Sequence, residues 1–292
     1  MGTSQSKRDA PPAAPLIPPW ANQDPPLPGP APNPEVPTVP TDQTAVGAQP
    51  VDPTIPQNQP AVTTQQLAME LAPPRRYAAF RTSLGHFASS GSRDDARVAL
   101  GHWARTSTGG PRAGAARVAR AARTGGAALA GFARAGAGQP PVAGSLDVRS
   151  LAGLPVAVAV DRIVDAFCPP GILDEDIARL AMGESLAMAL AGVDTFDPNA
   201  IDANAVRVAT LTFAAELVFL SVAGDGGRAL AAAPSPTAAA QREADIRSLV
   251  REVVDTVGTP ILAAAGNILT PAGMEALISQ LVQVVQSEIG TW

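Results

Sequence analysis

The chain has 292 residues, is 46% hydrophobic but only 4% aromatic, and carries a net charge of −5. A core filled by Ala, Val and Leu argues against a β-sandwich, and the lone Cys168 excludes an internal disulfide framework. Residues 1–30 lack the apolar run of a secretory signal, and the most apolar window, Ala203–Ala223, contains Arg207 and Glu216, so neither export nor a membrane span is expected and the protein is read as cytoplasmic.

Residues 1–74 hold 19 of the 30 prolines. Pro, Gln, Thr and Ala dominate there, and such a segment cannot bury enough apolar surface to offset its ordering entropy. It is predicted to be a disordered arm with extended polyproline II stretches. One apolar cluster, Leu16-Ile17-Pro18-Pro19-Trp20, interrupts it and is a docking motif candidate. Removal of Met1 leaves Gly2 as an unshielded α-amine at the tip. An α-amine titrates at roughly 8, so part of it is neutral and nucleophilic near neutral pH. The same start, Met-Gly-x-x-x-Ser before Lys7-Arg8, also matches an N-myristoylation signal, which needs a eukaryotic host. Lys7 is the only lysine beside 20 arginines, a usage that fits a GC-rich bacterial genome.

The remaining residues read as an all-α body, a multi-helix bundle with no alternation long enough for a sheet. Charge divides it. Residues 1–74 carry net −4, residues 75–138 net +9 and residues 139–292 net −10. The expected segments are therefore the arm (1–74), a basic Arg/Gly/Ala-rich helical segment (75–138) and an acidic helical bundle (139–292).

In chain order, Arg76–Arg81 leads to Leu84 and Phe87. Ser92 then caps a helix to about Arg105, with Asp94 and Asp95 in its positive first turn. Arg112, Arg117, Arg120 and Arg123 fall largely on one side of the next helix, which Gly125-Gly126 is predicted to break or kink. Pro155 opens a helix marked by Val156, Val160, Ile163, Val164 and Phe167, which Cys168-Pro169-Pro170-Gly171 ends. Another follows at about Asp174–Ala191. Asp202 caps the next, apolar nearly all round to about Ala223 and so expected to be central. A helix over about Pro236–Val257 is predicted to stop before a short one starting at Thr259-Pro260. Thr270-Pro271 caps the last, whose inward stripe is Met274, Leu277, Ile278, Leu281, Val282, Val285 and Ile289.

Several chemistries lack their residues. There is no Gly-Lys-Ser/Thr phosphate loop and no Gly-x-Ser-x-Gly elbow. His86 and His102 form no metal-ligand pattern with Cys168, and Asp194, Asp197 and Asp202 lack the spacing and glycine of a calcium loop. Asp174-Glu175-Asp176 reads as a capping cluster. No catalytic residue, metal or cofactor is expected. The arginine stripe has two readings. It can neutralise phosphates, which needs only positive charge, or it can bridge to the acidic C-terminal body.

The segments Met1-Gly2-Thr3-Ser4, Leu16-Ile17-Pro18-Pro19-Trp20, Arg81-Thr82 to Phe87, Arg105 to Gly110, and Cys168-Pro169-Pro170-Gly171 before Asp174-Glu175-Asp176-Ile177-Ala178-Arg179 together resemble the QatB family of the bacterial Qat anti-phage system. Pro170-Gly171 stands where that family often has Gly-Gly. The resemblance implies a system of four components: an ATPase, a chain like this one, a QueC-like enzyme and a TatD-like nuclease. QueC-like enzymes activate a 7-deazaguanine carboxylate with ATP and join it to an amine. The chain is then expected to be non-enzymatic, to bind the QueC-like partner through Thr3, Ser4, Leu16, Ile17 and Trp20, and to present Gly2 as the modification acceptor. The ATPase and the nuclease are further expected partners, and a membrane is not. The alternative is a nucleic-acid-binding adaptor that uses Arg112, Arg117, Arg120 and Arg123.

Overall fold

Nine α-helices, and no strand, account for the regular structure of the described residues, which in this computed structural model are 75–170 and 173–292. They are α1 (Ala78–Ser90), α2 (Arg93–His102), α3 (Pro111–Arg117), α4 (Ala119–Gly136), α5 (Val156–Phe167), α6 (Leu173–Ala189), α7 (Ala203–Gly226), α8 (Pro236–Ala265) and α9 (Pro271–Ile289). All belong to one compact unit. The expectations for residues 1–74 lie outside the described residues.

Local capping explains where four of the helices begin. Ser92 Oγ accepts from the Asp94 amide at 3.3 Å, Asp202 Oδ1 from Ala205 at 2.7 Å, and Thr270 Oγ1 from Gly273 at 3.2 Å. Ser235 Oγ does the same for α8, accepting from Ala238 at 3.1 Å. Each satisfies an amide that the first turn would otherwise leave without a partner. Pro155 precedes α5 rather than occupying its first turn, and its carbonyl accepts from Ala159 at 3.0 Å.

The apolar helix α7 is the centre of the body. It packs against α1, α4, α6, α8 and α9, and Leu211, Phe213, Leu217, Phe219 and Val222 are buried in it. It is long and apolar enough to cross a membrane, yet 67% of its most apolar window is buried inside the body. Its one buried charge, Glu216, is neutralised. Arg251 donates to Glu216 Oε1 at 2.8 Å and to Glu184 Oε1 at 3.0 Å, and Arg247 lies 3.8 Å from Glu216 Oε2. A buried carboxylate without such partners would cost several kcal/mol of desolvation, on the order of the whole stability margin. The stripe of α9 is buried throughout, against α4, α3 and α8.

Three expectations about helix limits change. The Gly125-Gly126 pair does not break its helix, because α4 runs through it uninterrupted to Gly136. The pair serves packing. A methyl on Gly125 would sit 2.0 Å from Phe213 Cζ, and one on Gly126 would sit 2.7 Å from the Glu275 backbone nitrogen. Glycine lets α4 approach α7 and α9 closely, and burial there outweighs the propensity penalty of about 1 kcal/mol per glycine. Pro260 also sits inside one continuous helix, α8. It forfeits one backbone bond on an exposed face, while the following Ile261 and Leu262 pack against the core and reward continuation. Finally, α2 ends at His102 and passes into a π-helical turn, Trp103–Ser107, whose Trp103 is fully buried.

Candidate functional site

The π-helical turn, the first turn of α1 and the end of α3 meet at the C-terminal end of α7, around Asp225. The Asp225 carboxylate is only 11% exposed. Arg117 Nη1 and Nη2 donate to its two oxygens at 3.0 and 2.9 Å, and Trp103 Nε1 donates to Oδ2 at 3.0 Å. The Asp225 carbonyl, one of the last-turn acceptors of α7, receives Arg81 Nε at 2.9 Å. An acidic side chain at a helix C-terminus opposes the helix dipole, and the guanidinium groups reverse that cost. The Arg117 guanidinium is held above its ordinary range chiefly by its hydrogen bonds to Asp225.

Tyr77 lies over this anchor. Arg76 donates to its hydroxyl at 2.5 Å, and the guanidinium carbons of Arg76 and Arg81 lie 4.7 and 5.2 Å from its ring centroid. Both are cation–π distances. Arg76 and Arg81 thus share one ring, while Arg117 is the guanidinium that pairs with the Asp225 carboxylate, and the cluster holds a local excess of positive charge.

The four arginines expected on one side separate into different roles. Arg117 is committed to Asp225. Arg123 reaches Glu275 at 3.4 Å with its side chain 78% exposed, a geometry worth little in water. Arg112 and Arg120 are exposed and make no salt bridge among the described residues. Bridging to the acidic part therefore accounts for two of the four. Gly2, Thr3, Ser4, Leu16, Ile17 and Trp20 lie outside the described residues.

Elsewhere, no group of three or more His, Cys, Asp or Glu side chains comes together as a metal site among the described residues. His86 is exposed and His102 half-buried. Cys168 is fully buried, and desolvation pushes its thiol up from 9.0 to about 11, away from the thiolate needed for nucleophilic chemistry. A cavity of about 460 Å³ opens between the end of α4, the start of α7 and the α8–α9 connection, walled by Val206, Leu262, Ile268, Met274 and Leu277. The Tyr77 cluster could have been suspected from the run Arg75-Arg76-Tyr77 with Arg81. Arg117, 40 residues away, was marked by the arginine stripe and by its reading as a bridge to the acidic body, but its partner Asp225, 148 residues from Tyr77, carried no sequence signal.

Residues 109–287 match the family described as Qat anti-phage system associated protein QatB, from the loop before α3 to the last turn of α9. No curated protein and no solved structure matches the chain.

Proposed function

Since the chain belongs to the QatB family and so to the components of the Qat anti-phage system, we propose that it acts in the cytoplasm as the non-enzymatic protein acceptor of that system. Its QueC-like partner binds the N-terminal segment, through Thr3, Ser4, Leu16, Ile17 and Trp20, and modifies the Gly2 amine. The ATPase and the TatD-like nuclease act on or with the product. Family membership is the observation that carries this reading. The sequence supports it with a small residue behind Met1 and a proline-rich segment long enough to reach a deep site.

The chemistry balances simply. The partner converts a 7-deazaguanine carboxylate and ATP into an acyl adenylate, releasing pyrophosphate. The neutral Gly2 amine attacks the acyl carbon, an amide forms, and AMP and one proton leave. Only the unprotonated amine has the required lone pair, so the step speeds up as pH rises toward roughly 8.

Co-expression of the full chain with its QueC-like partner, followed by intact-mass analysis and fragmentation of the N-terminal peptide, tests the proposal. The expected product lacks Met1 and carries one 7-deazaguanine acyl group on Gly2. An unmodified Gly2 beside a partner that still consumes ATP and the carboxylate overturns it.

A further inference from the structure

We infer that the Tyr77-centred arginine cluster at the α7 C-terminus is a docking surface for single-stranded nucleic acid, in which Arg76 and Arg81 meet backbone phosphates and Tyr77 offers a stacking face. The inference is independent of Gly2 chemistry.

Three observations carry it. First, the charge is in excess where it is fixed. The Asp225 carboxylate is already taken by Arg117 and Trp103, which leaves the charges of Arg76 and Arg81 uncompensated beside it. Arg76 and Arg81 make no salt bridge among the described residues, although the chain as a whole is acidic, with a pI near 5.1. Second, the guanidinium groups are pre-positioned. Arg81 is held by the Asp225 carbonyl at 2.9 Å and Arg76 by the Tyr77 hydroxyl at 2.5 Å, so less side-chain entropy is lost on binding. Third, the cluster has an aromatic ring. Tyr77 is half-buried rather than covered, and the next helices expose Arg112 and Arg120 without partners.

A single oxyanion would use the guanidinium groups but not the ring. An acidic peptide would use the arginines but not the ring. Unpaired bases use both, since every base has a face that stacks and phosphates repeat along the strand. A duplex hides its bases, so the ring favours a single strand over a double one.

Fluorescence anisotropy of the full chain with a labelled 30-nucleotide oligothymidylate tests the inference. With two arginines engaged, affinity should fall roughly sevenfold between 50 and 200 mM NaCl, and this fall should largely disappear in R76A/R81A, where neither remains. Affinity at 50 mM should itself drop at least tenfold in R76A/R81A. R76K/R81K keeps the charge and should keep the salt dependence, which separates lost charge from lost folding. R112A/R120A should weaken binding by less than R76A/R81A does. Several outcomes overturn the inference: no binding at 50 mM NaCl with micromolar protein, equal affinity in R76A/R81A, or equal competition by a poly-glutamate peptide of matched charge. The last would assign the surface to an acidic protein. Because Gly2 is not touched, its modification can succeed or fail without changing any of these readings.

Discussion

Replacing Asp225 by alanine should cost about 2–4 kcal/mol. The substitution leaves the Trp103 indole N–H without an acceptor in a fully buried residue. A buried donor left unsatisfied costs about 1–3 kcal/mol. Arg117 loses two charge-assisted hydrogen bonds, but its side chain is 37% exposed and water recovers part of that loss, so about 1 kcal/mol is assigned to it. Removing a negative charge from the last turn of α7 returns up to about 0.5 kcal/mol through the helix dipole. For a body of this size, 3 kcal/mol corresponds to a fall in Tm of about 6–12 °C. Asp225→Asn keeps one acceptor of nearly the same shape and should cost less, about 1–2 kcal/mol. Urea unfolding followed by circular dichroism at 222 nm measures both. A double-mutant cycle with Arg117→Met isolates the pair and should show coupling of about 1 kcal/mol. If Asp225→Ala shifts stability by less than about 1 kcal/mol, Asp225 does not organise the junction of α1, α3 and α7.

Two helix glycines should respond with opposite signs. Gly125→Ala drives a methyl into the Phe213 ring and should destabilise by about 1–3 kcal/mol, whereas Gly85→Ala meets nothing within 4 Å and should stabilise by about 0.5–1 kcal/mol; denaturant midpoints give both. Pro260→Ala restores a backbone donor inside α8 and should raise stability by about 1–3 kcal/mol, read by the same melts, with no gain refuting a continuous α8. Cys168 should resist iodoacetamide at pH 8 in the folded chain and react on unfolding, checked by mass. The sign follows from its raised pKa. Below the unfolded value of 9.0 both states are protonated and nothing changes. Above it the unfolded thiol ionises first, so this group's contribution to stability is lost as pH climbs towards about 11.

The helix starts were readable because a cap is a local event. Ser92, Asp202 and Thr270 each satisfy an amide two or three residues away, so a short window of residues suffices to place them. The burial of α7 and the stripe of α9 were readable for a similar reason, since both are periodic patterns along one element. The basic stripe was readable as charge but not as role. Whether an arginine is paired depends on what other elements bring to it, and only coordinates place Asp225 against Arg117 and Glu275 against Arg123.

By itself, the order of residues determined an all-helical body, its capped starts, its central apolar helix and the family motifs, because each is set by neighbours within a few turns. Tertiary structure alone decided that Gly125-Gly126 joins helices instead of parting them, that Pro260 is tolerated within α8, and that Arg76, Arg81, Trp103 and Arg117 converge on Tyr77 and Asp225. In each case the deciding energy is burial or pairing between distant segments. That energy exceeds the roughly 1–3 kcal/mol by which local propensity argues the other way.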